Sequence, residues 1–158
     1  MIAALRRIHR KQMSRLRDLA VDVEELSARD SREALSRFAR AFMGVERSVT
    51  FLGEADATHA TGREIDYGRW LWQGSPPPPL KPQLGWLSDW HPGTSCIRFD
   101  RRLIFPALRL SVTGMLDEWA FSWPGAYVSF DSGRAMLVSL DREVSCYELA
   151  AGGKPPYR

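Results

Sequence analysis

Ala126-Tyr127-Val128-Ser129-Phe130, Ala135-Met136-Leu137-Val138-Ser139-Leu140 and Val144-Ser145-Cys146-Tyr147-Glu148-Leu149 follow one another with only short breaks. The breaks are Asp131-Ser132-Gly133-Arg134 and Asp141-Arg142-Glu143. Apolar and polar residues alternate within the segments, the period of a half-buried strand. Breaks this short return the chain antiparallel to itself, and Gly133 supplies a residue that tolerates positive φ. The stretch therefore predicts consecutive β-hairpins. The same period extends upstream to Thr94, so Cys96–Phe99, Leu103–Leu116 and Glu118–Trp123 read as strands too. Pro106 and Pro124 mark strand starts, bulges or edges, because proline cannot donate to a ladder.

The N-terminal third has a different rhythm. At about 100° per residue, Leu5, Ile8, Leu16, Leu19, Val23 and Leu26 fall in one stripe, with Gln12 the polar residue inside it. Arg6, Arg7, Arg10 and Arg17 fall on the opposite side. This predicts a long amphipathic helix over residues 3–27. Asp30 with Glu33 marks the start of a second helix, whose apolar face is Leu35, Phe38, Phe42 and Met43 and whose stop is Gly44.

Between the two regimes, Ser48–Leu52 has strand composition, Gly53–Gly62 reads as a polar loop, and Ile65–Gln73 fits either a strand or a turn of helix. Residues 74–82, Gly-Ser-Pro-Pro-Pro-Pro-Leu-Lys-Pro, hold half of the chain's ten prolines and must be extended or loop. The expected architecture is α+β: an N-terminal helical hairpin (1–47), an irregular Pro/Trp-rich connection (48–93), an antiparallel β-meander (94–150) with the helices on one face, and a tail (151–158). The chain reads as a single domain.

Its 158 residues are 44% apolar and 26% charged, enough to build a core without disulfides. Arginine outnumbers lysine 19 to 3 and asparagine is absent, a pattern of GC-rich coding sequence. The net charge of +3 is unevenly spread. Residues 1–47 carry 11 basic and 7 acidic side chains, residues 48–158 carry 11 and 12. Arg6, Arg7, Arg10, Lys11, Arg15 and Arg17 precede the first acid. Such an end attracts phosphate or anionic lipid, and also suits a solvated helix face. An acid-free, Arg-rich start has the look of a transit peptide, but the amphipathic pattern runs on into acidic residues past Leu26. With no secretory leader, Cys96 and Cys146 are expected as reduced, buried thiols in a cytoplasmic protein. No apolar run is long enough to span a bilayer.

No motif for catalysis, nucleotide phosphates or metal stands out: Gly-x-Ser-x-Gly, the P-loop, Gly-x-Gly-x-x-Gly, His-Glu-x-x-His and Cys-x-x-Cys are all missing. His91, five residues before Cys96, offers the single Cys/His pairing, and packing explains Cys96 as well. The expectation is a non-enzymatic protein without cofactor or metal. All six tryptophans lie between residues 70 and 123. Trp119 and Phe121 share a strand face and suit a core, whereas Trp86 and Trp90 lie in a Pro/Gly-rich loop, where tryptophan makes a good partner anchor.

Trp123-Pro124-Gly125-Ala126-Tyr127-Val128-Ser129-Phe130-Asp131, followed by Val138-Ser139-Leu140-Asp141-Arg142-Glu143-Val144, resembles small bacterial immunity proteins encoded beside contact-dependent or polymorphic toxins. The resemblance implies a cytosolic protein that binds and neutralises a cognate toxin domain. Trp86, Trp90, Asp117, Glu118, Tyr127, Asp131, Asp141 and Glu143 would be its contact residues. The family has no shared catalytic positions. Immunity proteins against nucleases are often acidic, and this chain is mildly basic. The alternative is a nucleic-acid-associated regulatory protein that meets phosphates through Arg6, Arg10 and Arg17. The apolar stripe of the first helix suits a contact within the chain or between chains.

Overall fold

In the computed structural model the helix α2 (Ala28–Met43) is the piece on which the rest is assembled. The structure describes residues 2–18, 22–71, 94–101, 106–111, 127–130, 135–140 and 143–148. Helix α2 starts because Ser27 caps it: the Asp30 backbone N–H donates to Ser27 Oγ at 3.0 Å, satisfying one of the amides a helix start leaves open. Ala34, Leu35, Phe38, Ala39, Phe42 and Met43 recur at helical spacing and are buried.

Gly44 ends α2 and begins α3 (Val45–Thr61), so one residue joins two helices. Its N–H donates to the Arg40 carbonyl at 3.2 Å, and its own carbonyl accepts from Ser48 N–H at 3.0 Å. The backbone there has φ 83° and ψ 167°, a region open essentially to glycine alone. Gly53, in the middle of α3, has equally open space where a Cβ would sit but ordinary helical backbone. Replacement by alanine therefore acts with opposite signs. Gly44→Ala is expected to cost about 1–3 kcal/mol through strain, and Gly53→Ala to stabilise by about 0.5–1 kcal/mol. Urea midpoints of the two variants check this, and a shift of the same sign in both contradicts it.

Ser48, Phe51, Leu52, Ala55 and Thr58 of α3 are buried, and α3 packs on α2. Arg32 clamps Asp56 across the pair, with Nη2 donating at 2.8 Å and Nε at 3.2 Å. Helix α4 (Tyr67–Leu71) adds Tyr67, Trp70 and Leu71. The Trp70 indole N–H donates to Glu54 at 3.1 Å, and the Arg69 guanidinium lies 5.2 Å from its ring centre.

Among the described residues, six antiparallel strands form one sheet in the order β1-β3-β2-β4-β5-β6. They are β1 (Val23–Glu25), β2 (Ser95–Phe99), β3 (Leu108–Ser111), β4 (Tyr127–Phe130), β5 (Ala135–Leu140) and β6 (Glu143–Glu148). The α+β class stands, with helices first and an antiparallel sheet after. Strands β4, β5 and β6 are neighbours in chain order, as the alternation predicts. Strand β2 lies between β3 and β4, so the connection from β3 to β4 crosses it.

On β2, Ile97 and Phe99 face α2, where Phe99 lies 5.6 Å from Phe38 between ring centres. Cys96 and Arg98 take the second face with their Cα partners Leu110, Leu108 and Val128, and all five are buried. Both faces of the central strands are thus covered, where the sequence predicts helices on one face.

Helix α1 (Ile2–Asp18) ends well short of residue 27. Val23–Glu25, expected within it, is an edge strand on β3, with Glu24 paired in register to Arg109 and bonded to it at 2.7 Å. Residues 48–61, expected as strand and loop, are helix α3. The helical hairpin consequently joins α2 to α3. The expected strand Glu118–Trp123 and the proline run lie outside the described residues.

Candidate anion-binding groove beside α1

Seventeen residues of α1 carry six basic side chains and a single acid, Asp18, at the end. Met13 and Leu16 are buried, whereas Arg6, Arg7, Arg10, Lys11, Arg15 and Arg17 are exposed, with Met13 on the same side of the helix as Arg6 and Arg17. Arg15 and Arg17 sit in the last turn, where the helix dipole favours cations. Arg6, Arg10 and Arg17 fall within about 40° of one another around the axis, and the first and last stand about 16 Å apart along it. None of these three has an ion-pair partner among the described residues. Elsewhere Arg32 is engaged by Asp56, Arg37 by Glu33 at 2.7 Å, Arg101 by Glu64 at 3.3 Å and Arg109 by Glu24, while Arg29, Arg40 and Arg63 are exposed like the α1 row.

Beside α1 runs an open groove of about 730 Å³, lined by Ala3, Arg6, His9, Arg10, Glu25, Leu26, Ala28, His59 and Pro106. Its walls come from four elements distant in sequence. Helix α1 gives Arg6, His9 and Arg10, and the end of β1 gives Glu25. Helix α3 gives His59 from its last turn. His9 Nε2 lies 3.6 Å from Glu25 Oε2. Leu26 N–H donates to the Ala107 carbonyl at 3.0 Å, which holds the β1–α2 junction against the segment before β3. A second, smaller cavity of about 230 Å³ lies between α2 and the sheet, and both of its cations, Arg37 and Arg109, already have carboxylate partners.

Partial burial pushes the His59 imidazole below its ordinary pKa, and Arg6 pushes it the same way, while Asp56 opposes them. The folded state resists the proton that the unfolded chain accepts below about pH 6.5, so the unfolded state binds more protons there. Stability therefore falls as pH drops through that value toward the folded-state pKa. Urea midpoints measured from neutral to mildly acidic pH are expected to fall, and less steeply in His59→Gln. Equal slopes in the two proteins would remove the assignment.

Of the residues assigned to phosphate contact, Arg6 and Arg10 meet in the groove, and Arg17 continues their row beyond it. Of those assigned to a protein partner, Tyr127 begins β4, opposite Phe99 and Val138, and Glu143 begins β6, opposite Leu140. Trp86, Trp90, Asp117, Glu118, Asp131 and Asp141 lie outside the described residues, as does His91. Cys96 is buried and its thiol donates to the Leu110 carbonyl at 3.3 Å. Among the described residues no three His, Cys, Asp or Glu side chains gather to hold a metal ion, and no helix is long and apolar enough to cross a membrane. Comparison with protein-family models, curated proteins and solved structures gives no match to this chain.

Proposed function

We propose that the protein is a non-enzymatic binding protein that associates with nucleic acid through Arg6, Arg10 and Arg17 of α1. The observation that carries this reading is the row itself: three exposed guanidinium groups on one side of a helix, unpaired among the described residues, while Arg32 and Arg37 of α2 and Arg109 of β3 are matched to acids. A row about 16 Å long spans several phosphates of a strand, which are spaced about 3.4 Å along a duplex axis. Guanidinium groups suit this use because each presents a rigid fork of donors.

Fluorescence anisotropy of labelled duplex and single-stranded oligonucleotides against the full chain tests it. Affinity should fall steeply with salt. Replacing Arg6, Arg10 and Arg17 together by glutamine should flatten the log–log slope by roughly 2–3, close to one per lost phosphate contact. Absence of binding at low salt, or an unchanged slope in the triple variant, overturns the reading.

A second reading is supported by the sheet. Of the residues that resemble immunity proteins, Tyr127–Phe130 make up β4, Val138–Leu140 end β5 and Glu143–Val144 begin β6, and these strands pair consecutively. We propose in that case a cytoplasmic protein that neutralises a cognate toxin domain, with Tyr127 and Glu143 at the contact. Co-expression with the toxin domain encoded by the neighbouring gene should restore growth. Continued toxicity, with no complex formed by the purified pair, would sink it.

A further inference from the structure

The groove differs from the rest of the basic row, and the difference concerns what kind of phosphate it takes. A single phosphate needs little room, whereas about 730 Å³ lies within the range of small-molecule sites. Arg6 and Arg10 enter it from successive turns of α1 and carry two positive charges. The His9 and His59 rings also line it. Ala3, Leu26, Ala28 and Pro106 supply apolar wall, and Glu25 supplies an acceptor.

We propose that this groove is a binding site for the phosphate monoester of a nucleotide, either free or at the 5′ end of a strand. The proposal rests on the nucleic-acid reading in so far as Arg6 and Arg10 serve both. A phosphate monoester carries between one and two negative charges near neutral pH. A backbone diester carries one. The pair of guanidinium groups matches the monoester better, and both can donate to it in charge-assisted bonds. The apolar wall offers a surface for a base or sugar edge. Glu25, held at 3.6 Å from His9, accepts from a sugar hydroxyl or an exocyclic amine and repels a second phosphate on its side.

Isothermal titration calorimetry on the full chain with adenosine 5′-monophosphate, adenosine and inorganic phosphate tests the site. The monophosphate is expected to bind roughly ten- to a hundredfold more tightly than adenosine, the worth of a charged hydrogen-bonding group. Arg6→Gln and Arg10→Gln should each lose about that factor, with unchanged melting temperatures because both side chains are exposed. Arg63→Gln, exposed and away from the groove, should bind as the parent does. Oligonucleotides with a 5′-phosphate or a 5′-hydroxyl distinguish the sources: preference for the former assigns a strand end, and indifference alongside tight monophosphate binding assigns a free nucleotide. Equal affinity for monophosphate and adenosine, or unaltered binding in both arginine variants, overturns the site. If salt-dependent strand binding survives that result, this inference alone has failed. If strand binding is absent while the monophosphate still binds, the failure is that of the wider reading.

Discussion

Phe38→Ala is expected to destabilise the protein by about 3–5 kcal/mol, the usual cost of emptying a buried aromatic site. The ring is fully buried and touches three elements at once. Its centroid lies 5.3 Å from Phe42 on the same helix, 6.3 Å from Tyr67 of α4 and 5.6 Å from Phe99 of β2. Tyr67 in turn stacks at 5.5 Å on Phe51 of α3. Loss of the ring thus removes apolar burial and several oriented ring contacts together, and collapse is limited because each neighbour is anchored to its own element. Domains of this kind hold roughly 5–15 kcal/mol in all, so the variant sits near the edge of folding. Chemical denaturation checks it, with Phe38→Leu as the partner variant, expected to lose less because it leaves a smaller void. A Phe38→Ala midpoint equal to the parent's would mean that the cluster does not organise the core.

Much of this core was legible in the sequence. Leu35, Phe38, Phe42 and Met43 stand at helical spacing between an Asp/Glu start signal and a glycine stop, and the structure uses each of them. Strands β2, β4, β5 and β6 were legible because alternation and short turns are local signals. Helix α3 was not. Its buried face is Ser48, Phe51, Leu52, Ala55 and Thr58, small or hydroxyl-bearing at three of five positions, while Val45 and Val49 point to solvent. A stripe made that way gives almost no periodicity, and Val49-Thr50-Phe51 has strand composition, so tertiary packing against α2 overrode the local preference. Strand β1 was hidden for the opposite reason. Val23 and Leu26 continue the α1 stripe by spacing alone, and their real place depends on Leu108–Leu110, more than eighty residues away.

The site divides along the same line. Arg6, Arg10 and Arg17 share one side of one helix, so their grouping follows from sequence spacing. His59 was placed in a polar loop because α3 went unrecognised, and Glu25 reaches the groove only because β1 leaves the helix. A groove walled by four elements from distant stretches is a product of topology. Residue type on α1 announced an anion-seeking surface, and only the fold turned part of that surface into a pocket.

Ser31→Val should be nearly as damaging as the loss of Phe38, about 2–6 kcal/mol, from two separate costs. Ser31 is fully buried on the first turns of α2. Its Oγ accepts from the Ala107 backbone N–H at 2.9 Å and faces the Leu26 carbonyl at 3.5 Å. That hydroxyl therefore supplies the acceptor for an amide just before β3, at the place where Leu26 N–H also bonds to Ala107 O. Valine leaves the Ala107 amide buried without its acceptor, which costs about 1–3 kcal/mol. It also adds a methyl group to a closed site, which costs about 1–3 kcal/mol more. Ser31→Ala isolates the first cost and should lose about 1–3 kcal/mol, and Ser31→Thr keeps the acceptor while adding the methyl. Denaturation midpoints rank the three, and amide hydrogen exchange at Ala107 separates the causes: protection should drop in the alanine variant and hold in the threonine one wherever the fold survives. Full protection of Ala107 in Ser31→Ala would show that the amide finds another acceptor. The junction of β1, α2 and β3, which carries Glu25 and Leu26 into the groove, would then be held by the Leu26–Ala107 backbone bond.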